Sequence, residues 1–303
     1  MKKSILLSIG LILSLTVFAQ EKDTTYWKKG GFASLTFSNV MLSNWNSGGN
    51  ESVALNGATS LFADFKKNRT TWENSLDLSY GMIKQSPDLS EDNVPFRKSD
   101  DKINFVTKWG YKIKNENDQW YFSGLIDFRT QFDEGLNGND ELISEFMAPG
   151  YLTTGLGIDY KYSEKLSFNY IPLTGKMTFV MNDSLANIGA FGVDPGENFR
   201  AELGSYFRIK YKNEIVKNVN LDTRIELFSN YMKDFGTIDV NWQNTVVMKI
   251  NSFLSANWYT QLIYDKDIKS TNEDGTTGEA KVQLKSVFGV GLTYKFGEER
   301  KKK

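Results

Sequence analysis

The sequence predicts an all-β fold, an antiparallel up-and-down transmembrane β-barrel of about twelve strands. Three observations predict it: apolar and polar residues alternate one by one over long segments, an even number of such segments is joined by alternately short and long connections, and aromatic residues gather beside the short joins. The clearest segment is 72–82, where Trp72, Asn74, Leu76, Leu78, Tyr80 and Met82 share one face and Glu73, Ser75, Asp77, Ser79 and Gly81 the other. Successive side chains of a strand point to opposite faces, so this segment has one apolar and one wet side. A soluble sandwich with aromatic core residues is the competing fold. Length separates the two, because soluble strands usually run about five or six residues and a tilted strand crossing a bilayer needs roughly nine to eleven.

The first element in chain order is an export signal. Lys2 and Lys3 precede an apolar stretch from Ile5 to Leu15, and Val17-Phe18-Ala19 before Gln20 offers the small residues that a secretory peptidase cuts beside. Residues 1–19 are therefore expected to be removed, with 20–30 a short periplasmic segment, 31–297 the barrel and 298–303 a charged tail. No cysteine stands at the cut to carry a lipid.

Alternation marks strands at 31–43, 51–65, 70–84, 99–113, 119–133, 149–162, 165–181, 197–212, 217–232, 236–251, 253–267 and 281–297. The short joins 66–69, 114–118, 163–164, 213–216 and around 252 occupy every second position, as periplasmic turns do in bacterial barrels. Between them lie the longer connections 85–98, 134–148, 182–196 and 268–280, with 44–50 and 233–235 short. Trp72, Trp109, Tyr111, Trp120, Tyr160, Tyr211, Tyr294 and Phe296 fall near the periplasmic turns, and Tyr80, Tyr231 and Tyr264 mark the outer rim. Trp72 to Tyr80 spans about 26 Å of strand, or about 20 Å of height after a tilt of about 40°, close to the apolar band of such barrels.

Composition narrows the chemistry. The mean hydropathy of −0.42 is that of a soluble protein, which a barrel with a polar interior also shows. With no histidine and no cysteine, the chain lacks the usual general base near neutral pH, thiolate metal sites and every Ser-His or Cys-His arrangement, so no enzyme is expected. Glu73 and Asp77 share a face, but four residues along a strand set their Cα atoms about 13 Å apart, beyond glycosidase spacing. The balance of 36 basic and 37 acidic residues gives no reason to expect nucleic acid. No cofactor and no metal is expected. The loop with Asp133, Glu134, Asn137, Asn139, Asp140, Glu141 and Glu145 is rich in oxygen ligands, yet its acids and Gly138 are wrongly spaced for a calcium loop.

Charge on the inward face supplies the candidate pore-lining residues. They are Glu73, Asp77, Lys102, Lys108, Asp127, Arg129, Arg200, Glu202, Arg208, Asp222, Arg224 and Glu226. One reading is a polar pore whose charges tune selectivity; the other is a set of ion pairs that brace or plug the bore. Twelve strands lie between the eight that fill with side chains and the sixteen that leave a channel. The connection Trp45-Asn46-Ser47-Gly48-Gly49 is either a hairpin turn permitted by paired glycines or a loop folded inward, with Trp45 narrowing the mouth.

Several stretches carry a family resemblance. Leu42 to Ser52, with Trp45, Gly48 and Gly49 at its centre, Trp72-Glu73-Asn74 through Tyr80-Gly81, Pro172 to Met177, Asp239 to Asn244 and Gln261 to Asp265 resemble the domain-of-unknown-function family numbered 3078. The resemblance implies an outer-membrane location in Gram-negative bacteria and assigns no activity. The expected partners are outer-membrane lipid, lipopolysaccharide and a small polar solute crossing by a passive channel or transporter. The alternatives are a closed structural barrel or one binding a partner through its external loops, and a barrel moving lipid or another apolar molecule, against which the polar inward face argues. No segment marks a protomer interface.

Overall fold

The computed structural model of the chain describes residues 26–41, 50–86, 89, 94–233, 235–271 and 277–297. The expected signal segment 1–19, the Trp45 to Gly49 connection and the expected tail 298–303 lie outside the described residues. Twelve strands close into one barrel: β1 (Trp27–Val40), β2 (Glu51–Lys67), β3 (Thr70–Ser86), β4 (Arg97–Lys112), β5 (Trp120–Thr130), β6 (Gly150–Lys161), β7 (Leu166–Phe179), β8 (Phe199–Val216), β9 (Val219–Asn230), β10 (Asp239–Lys249), β11 (Leu254–Tyr264) and β12 (Gln283–Gly297). Each pairs antiparallel with its neighbour in sequence, and β12 returns to β1. Among the described residues no helix is long and apolar enough to cross a membrane; the strands do the crossing.

Alternation sorts the side chains as the sequence predicts. Outward-facing apolar residues remain exposed, among them Leu156 at 69 %, Phe288 at 62 % and Leu284 at 72 %, whereas inward Asp127 and Asn104 are 1 % exposed. An apolar outside around a charged inside is the inverse of a soluble protein, and only a lipid environment makes it favourable. Rings pack together at the periplasmic rim: Trp27 tilted against Phe65 at 5.3 Å and Trp72 at 5.6 Å, Trp120 tilted on Tyr160 at 4.5 Å, and Tyr294 stacked on Phe296 at 6.1 Å. Amphipathic rings suit the headgroup layer, so this is the expected girdle.

Two strand limits lie four residues from those the alternation marks, and the others within three. β1 begins at Trp27 rather than 31, because Trp27 joins the girdle although Lys29 and Gly31 dilute the apolar face beside it. The β8–β9 turn lies at Lys217-Asn218 rather than 213–216: a register shift between Glu214 and Val216 disturbs the alternation while the strand continues. Asn218 and Asn68 close their two-residue turns with φ of 68° and 50°, a left-handed conformation that asparagine tolerates better than most residues.

The β1–β12 seam is the shortest ladder, seven pairs from Gly30↔Gly297 to Thr36↔Gly291, against fourteen between β1 and β2. Here the strands approach closely, since a Cβ on Gly289 would come within 2.1 Å of Thr36 Cγ2.

External connections fold on themselves. Residues 131–149 form a small hairpin (Gly135–Leu136 with Leu142–Ser144), and 180–198 contain the short helix α1 (Asp183–Asn187), whose N-cap Asn182 Oδ1 accepts from Leu185 N. Ala148, Val180, Leu185, Ala186 and Val193 pack these two connections into a cap over the β5–β8 side of the mouth.

Candidate functional site

The lumen carries charge in three groups along its height. At the periplasmic end Lys108 (β4) lies 3.3 Å from Glu73 (β3) and 2.8 Å from Asp159 (β6), and Lys161 (β6) also pairs with Glu73. At the external mouth Lys176 (β7) reaches Asp239 at 2.7 Å and Asp265 at 2.9 Å, while Arg200 (β8) pairs with Glu202 at 2.7 Å and Asp267 at 3.0 Å. Arg200 Nη1 also donates to Gly192 O at 2.9 Å, which ties the cap to the inward face of β8.

The middle group crosses the bore. Arg208 (β8) donates to Asp127 (β5) at 2.8 Å and to Glu226 (β9) at 2.7 Å, and Arg129 (β5) reaches Glu226 at 2.5 Å, four strands away. Arg224 Nη2 (β9) donates to Asn104 Oδ1 (β4) at 3.2 Å and to Gln243 Oε1 (β10) at 2.9 Å. Arg224 Nε lies 3.2 Å from Glu226 Oε1 without a hydrogen bond, so that contact is electrostatic. Three guanidiniums face two carboxylates, leaving one net positive charge in the group. Stacked against it is an inward apolar cluster, Val106, Leu125, Ile171, Tyr206 and Phe228, from β4, β5, β7, β8 and β9.

The filling is one-sided. The Arg224–Asn104 contact joins β9 to β4, and the strands between them on one side, β5 to β8, hold the buried charges and the apolar cluster. On the other side, the inward residues of β12, β1, β2 and β3 are mostly small and half-buried: Val287, Gly289 and Gly291; Ser34 and Thr36; Ala58 and Ser60; Ser75 and Ser79. Among the described residues no inward side chain of β1 makes an ion pair or hydrogen bond across the lumen.

All twelve predicted lining residues stand at inward positions, but not as one ring. Asp127, Arg129, Arg208, Arg224 and Glu226 meet in the middle group, Glu73 and Lys108 at the periplasmic end, and Arg200 and Glu202 at the mouth. Asp222 stays apart with Lys212 at 3.3 Å. Asp77 accepts from Ser60 at 2.6 Å, and Lys102 lies over the Tyr259 ring (β11) at 5.1 Å. Alternation missed the apolar inward cluster, for which Leu125 beside Gly124 and Ile126, breaking the polar phase of β5, is the available signal. Lys176 and Lys285 were also missed; Lys285 (β12) pairs with Asp100 (β4) across four strands. In the acidic external loop, Asp140 pairs with Arg97 at 2.8 Å, and Asn137 Oδ1 accepts backbone N–H groups of the loop itself. No carboxylate cluster with metal-binding geometry occurs among the described residues.

A closed, even-stranded antiparallel barrel with an apolar belt, an aromatic girdle and a charged interior defines a membrane-spanning β-barrel of the bacterial outer-membrane class. Residues 37–136 match the family described as "Protein of unknown function (DUF3078)". The segments Leu42 to Ser52 and Trp72 to Gly81 that carry the resemblance lie inside the match; Pro172 to Met177, Asp239 to Asn244 and Gln261 to Asp265 lie beyond it. No curated protein matches the chain. Among solved structures, the NanC porin is 8 % identical with a TM-score of 0.38, covering 87 % of this chain and 98 % of its own. An outer membrane channel from Pseudomonas putida F1 is 11 % identical with a TM-score of 0.40, covering 92 % and 100 %. The translocator domain of the autotransporter NalP from Neisseria meningitidis is 11 % identical with a TM-score of 0.32, covering 97 % of each chain. Likeness of this degree describes other barrels and carries nothing about what this one passes.

Proposed function

We propose that this protein is an outer-membrane channel or transporter for a small polar solute, exported by the 1–19 signal, with a bore narrowed to part of its cross-section. The observation that carries this reading is the one-sided filling: ion pairs and apolar side chains close the β4–β9 side, while the β12–β3 wall keeps small, half-buried, mostly polar residues. A charged interior open to water over part of its section suits passive movement of a hydrated solute, with fixed charges setting which ones pass.

A second reading has its own support. Contacts such as Arg129–Glu226 and Lys285–Asp100 span four strands, as braces of a closed barrel would, and the cap of 131–149 and 180–198 offers an external binding surface. Single-channel recording from the refolded barrel in a planar bilayer decides between them. Steady conductance is expected, and silence from a folded barrel favours the braced reading.

A further inference from the structure

Lys102, like Lys210 on β8, stands outside the ion-paired groups of the lumen, and of the two it is the one beside the β12–β3 wall. It sits on β4 one inward position from Asn104, which holds Arg224 Nη2 at 3.2 Å, so two cationic side chains adjoin there. Among the described residues its ammonium has no carboxylate within ion-pair distance; its recorded contact is the face of Tyr259 on β11, 5.1 Å away. Asp77 stands one strand over, paired in register with Asn104 rather than Lys102, and its carboxylate is already engaged by the Ser60 hydroxyl.

A cation held in the bore with no carboxylate in contact is solvated by water or by an anion. The reach of Lys102 to Tyr259 also marks a boundary, because β4 and β11 flank the sector of β12, β1, β2 and β3. That sector carries Ser34, Thr36, Ala58, Ser60, Gly289 and Gly291, while on the β5–β8 side Leu125 is 1 % exposed, Ile171 0 % and Glu226 on β9 3 %. Toward the external end the Lys285–Asp100 pair stands in the same sector, with the lysine side chain 36 % exposed. The middle group beside it adds the net positive charge of three guanidiniums against two carboxylates.

We propose that solutes cross this barrel along the β12–β1–β2–β3 wall rather than down its axis, and that Lys102 makes this path select small anions. The inference rests on the channel reading above and adds route and solute class to it. An anion passing along the wall exchanges the water around Lys102 for its own charge, whereas a cation meets Lys102 and Arg224 with Asp77 partly satisfied by Ser60. Hydroxyl and amide groups of the wall solvate either ion, so the fixed charges discriminate.

The test is the reversal potential of the refolded full barrel in a potassium chloride gradient, for the native chain, Lys102→Gln, Lys102→Arg and Asp77→Asn. The native barrel is expected to favour chloride; Lys102→Gln lowers that preference several-fold, Lys102→Arg keeps it and Asp77→Asn raises it. A merely structural lysine would not move the ratio in opposite directions with Asp77. A conducting barrel that favours potassium, or whose selectivity ignores Lys102, overturns the anion assignment and leaves the channel reading intact. Absence of conductance from all folded variants overturns both.

The route is read separately, because the chain has no cysteine of its own. A sulfonate-bearing methanethiosulfonate is expected to block current through Thr36→Cys and Ala58→Cys and to spare Val106→Cys on the filled side. Block at Val106→Cys with Thr36→Cys and Ala58→Cys unaffected overturns the eccentric path.

Discussion

Arg208 and Asp127, on strands three apart in the barrel, are joined at 2.8 Å through the lumen, and the same guanidinium holds Glu226 at 2.7 Å. The side chains are 9 %, 1 % and 4 % exposed, so each charge depends on the others in place of water.

Arg208→Ala removes one of the two guanidiniums that Asp127 and Glu226 share and leaves them with Arg129. Removing one member of a buried pair typically costs about 3–5 kcal/mol, because a charge stays buried without compensation. Because Arg129 and Arg224 still face the two carboxylates, a loss near the lower end of that range is expected in urea unfolding of the refolded barrel in lipid vesicles. A loss below about 1 kcal/mol, the range of exposed pairs, would show that water reaches the group.

The outward belt predicts a contrast by face. Leu156→Arg places a charge in lipid near the middle of β6 and is expected to cost about 2–4 kcal/mol. Ser34→Arg on the inward face of β1 is expected to change conductance far more than stability. Equal destabilisation by the two would contradict the assignment of faces.

At the external mouth Asp265 lies just beyond β11. Burial pushes its carboxyl up, but the Lys176 ammonium and the Asp267 N–H outweigh that and hold it below the usual carboxylate range. A depressed folded value means its contribution is present above the unfolded pKa of about 3.9 and is lost as pH falls through the folded value. Asp265→Asn is therefore expected to flatten the acid limb of a stability–pH curve below about pH 4. An unchanged limb would place the acid sensitivity elsewhere.

The seven-pair seam between β1 and β12 is the place where the barrel is most easily parted. Ser34 and Thr293 face each other across it, so Ser34→Cys with Thr293→Cys is expected to form a disulfide under oxidation and to stabilise the barrel by about 2–4 kcal/mol. Conductance surviving the cross-link would keep the solute path inside the lumen. Its loss on oxidation and return on reduction would point to a seam that opens sideways, as movement of an apolar molecule requires.

Much of this barrel is written in local alternation. A strand's period of two decides which face each residue takes, so Trp72, Leu76 and Tyr80 were legible as outward, and Arg208, Arg224 and Glu226 as inward, without any tertiary knowledge. Strand number and loop rhythm followed because turns interrupt that phase. The limits at Trp27 and Val216 were blurred where Gly31 and the irregularity near Glu214 weaken it.

What alternation cannot carry is which inward residue meets which. Asn104 and Arg224 are 120 residues apart and touch because the stagger of twelve strands and the shape of the closed bore bring β4 beside β9. The same holds for the apolar cluster of Val106, Leu125, Ile171, Tyr206 and Phe228, which fills one side and leaves the wall facing Lys102 to small residues. The faces, the strand number and the charge of the lumen follow from near neighbours along one chain and so can be read without the closed fold. Where that charge is neutralised and where it is left free emerges with barrel closure, because ion pairing across a bore joins strands that are distant in sequence.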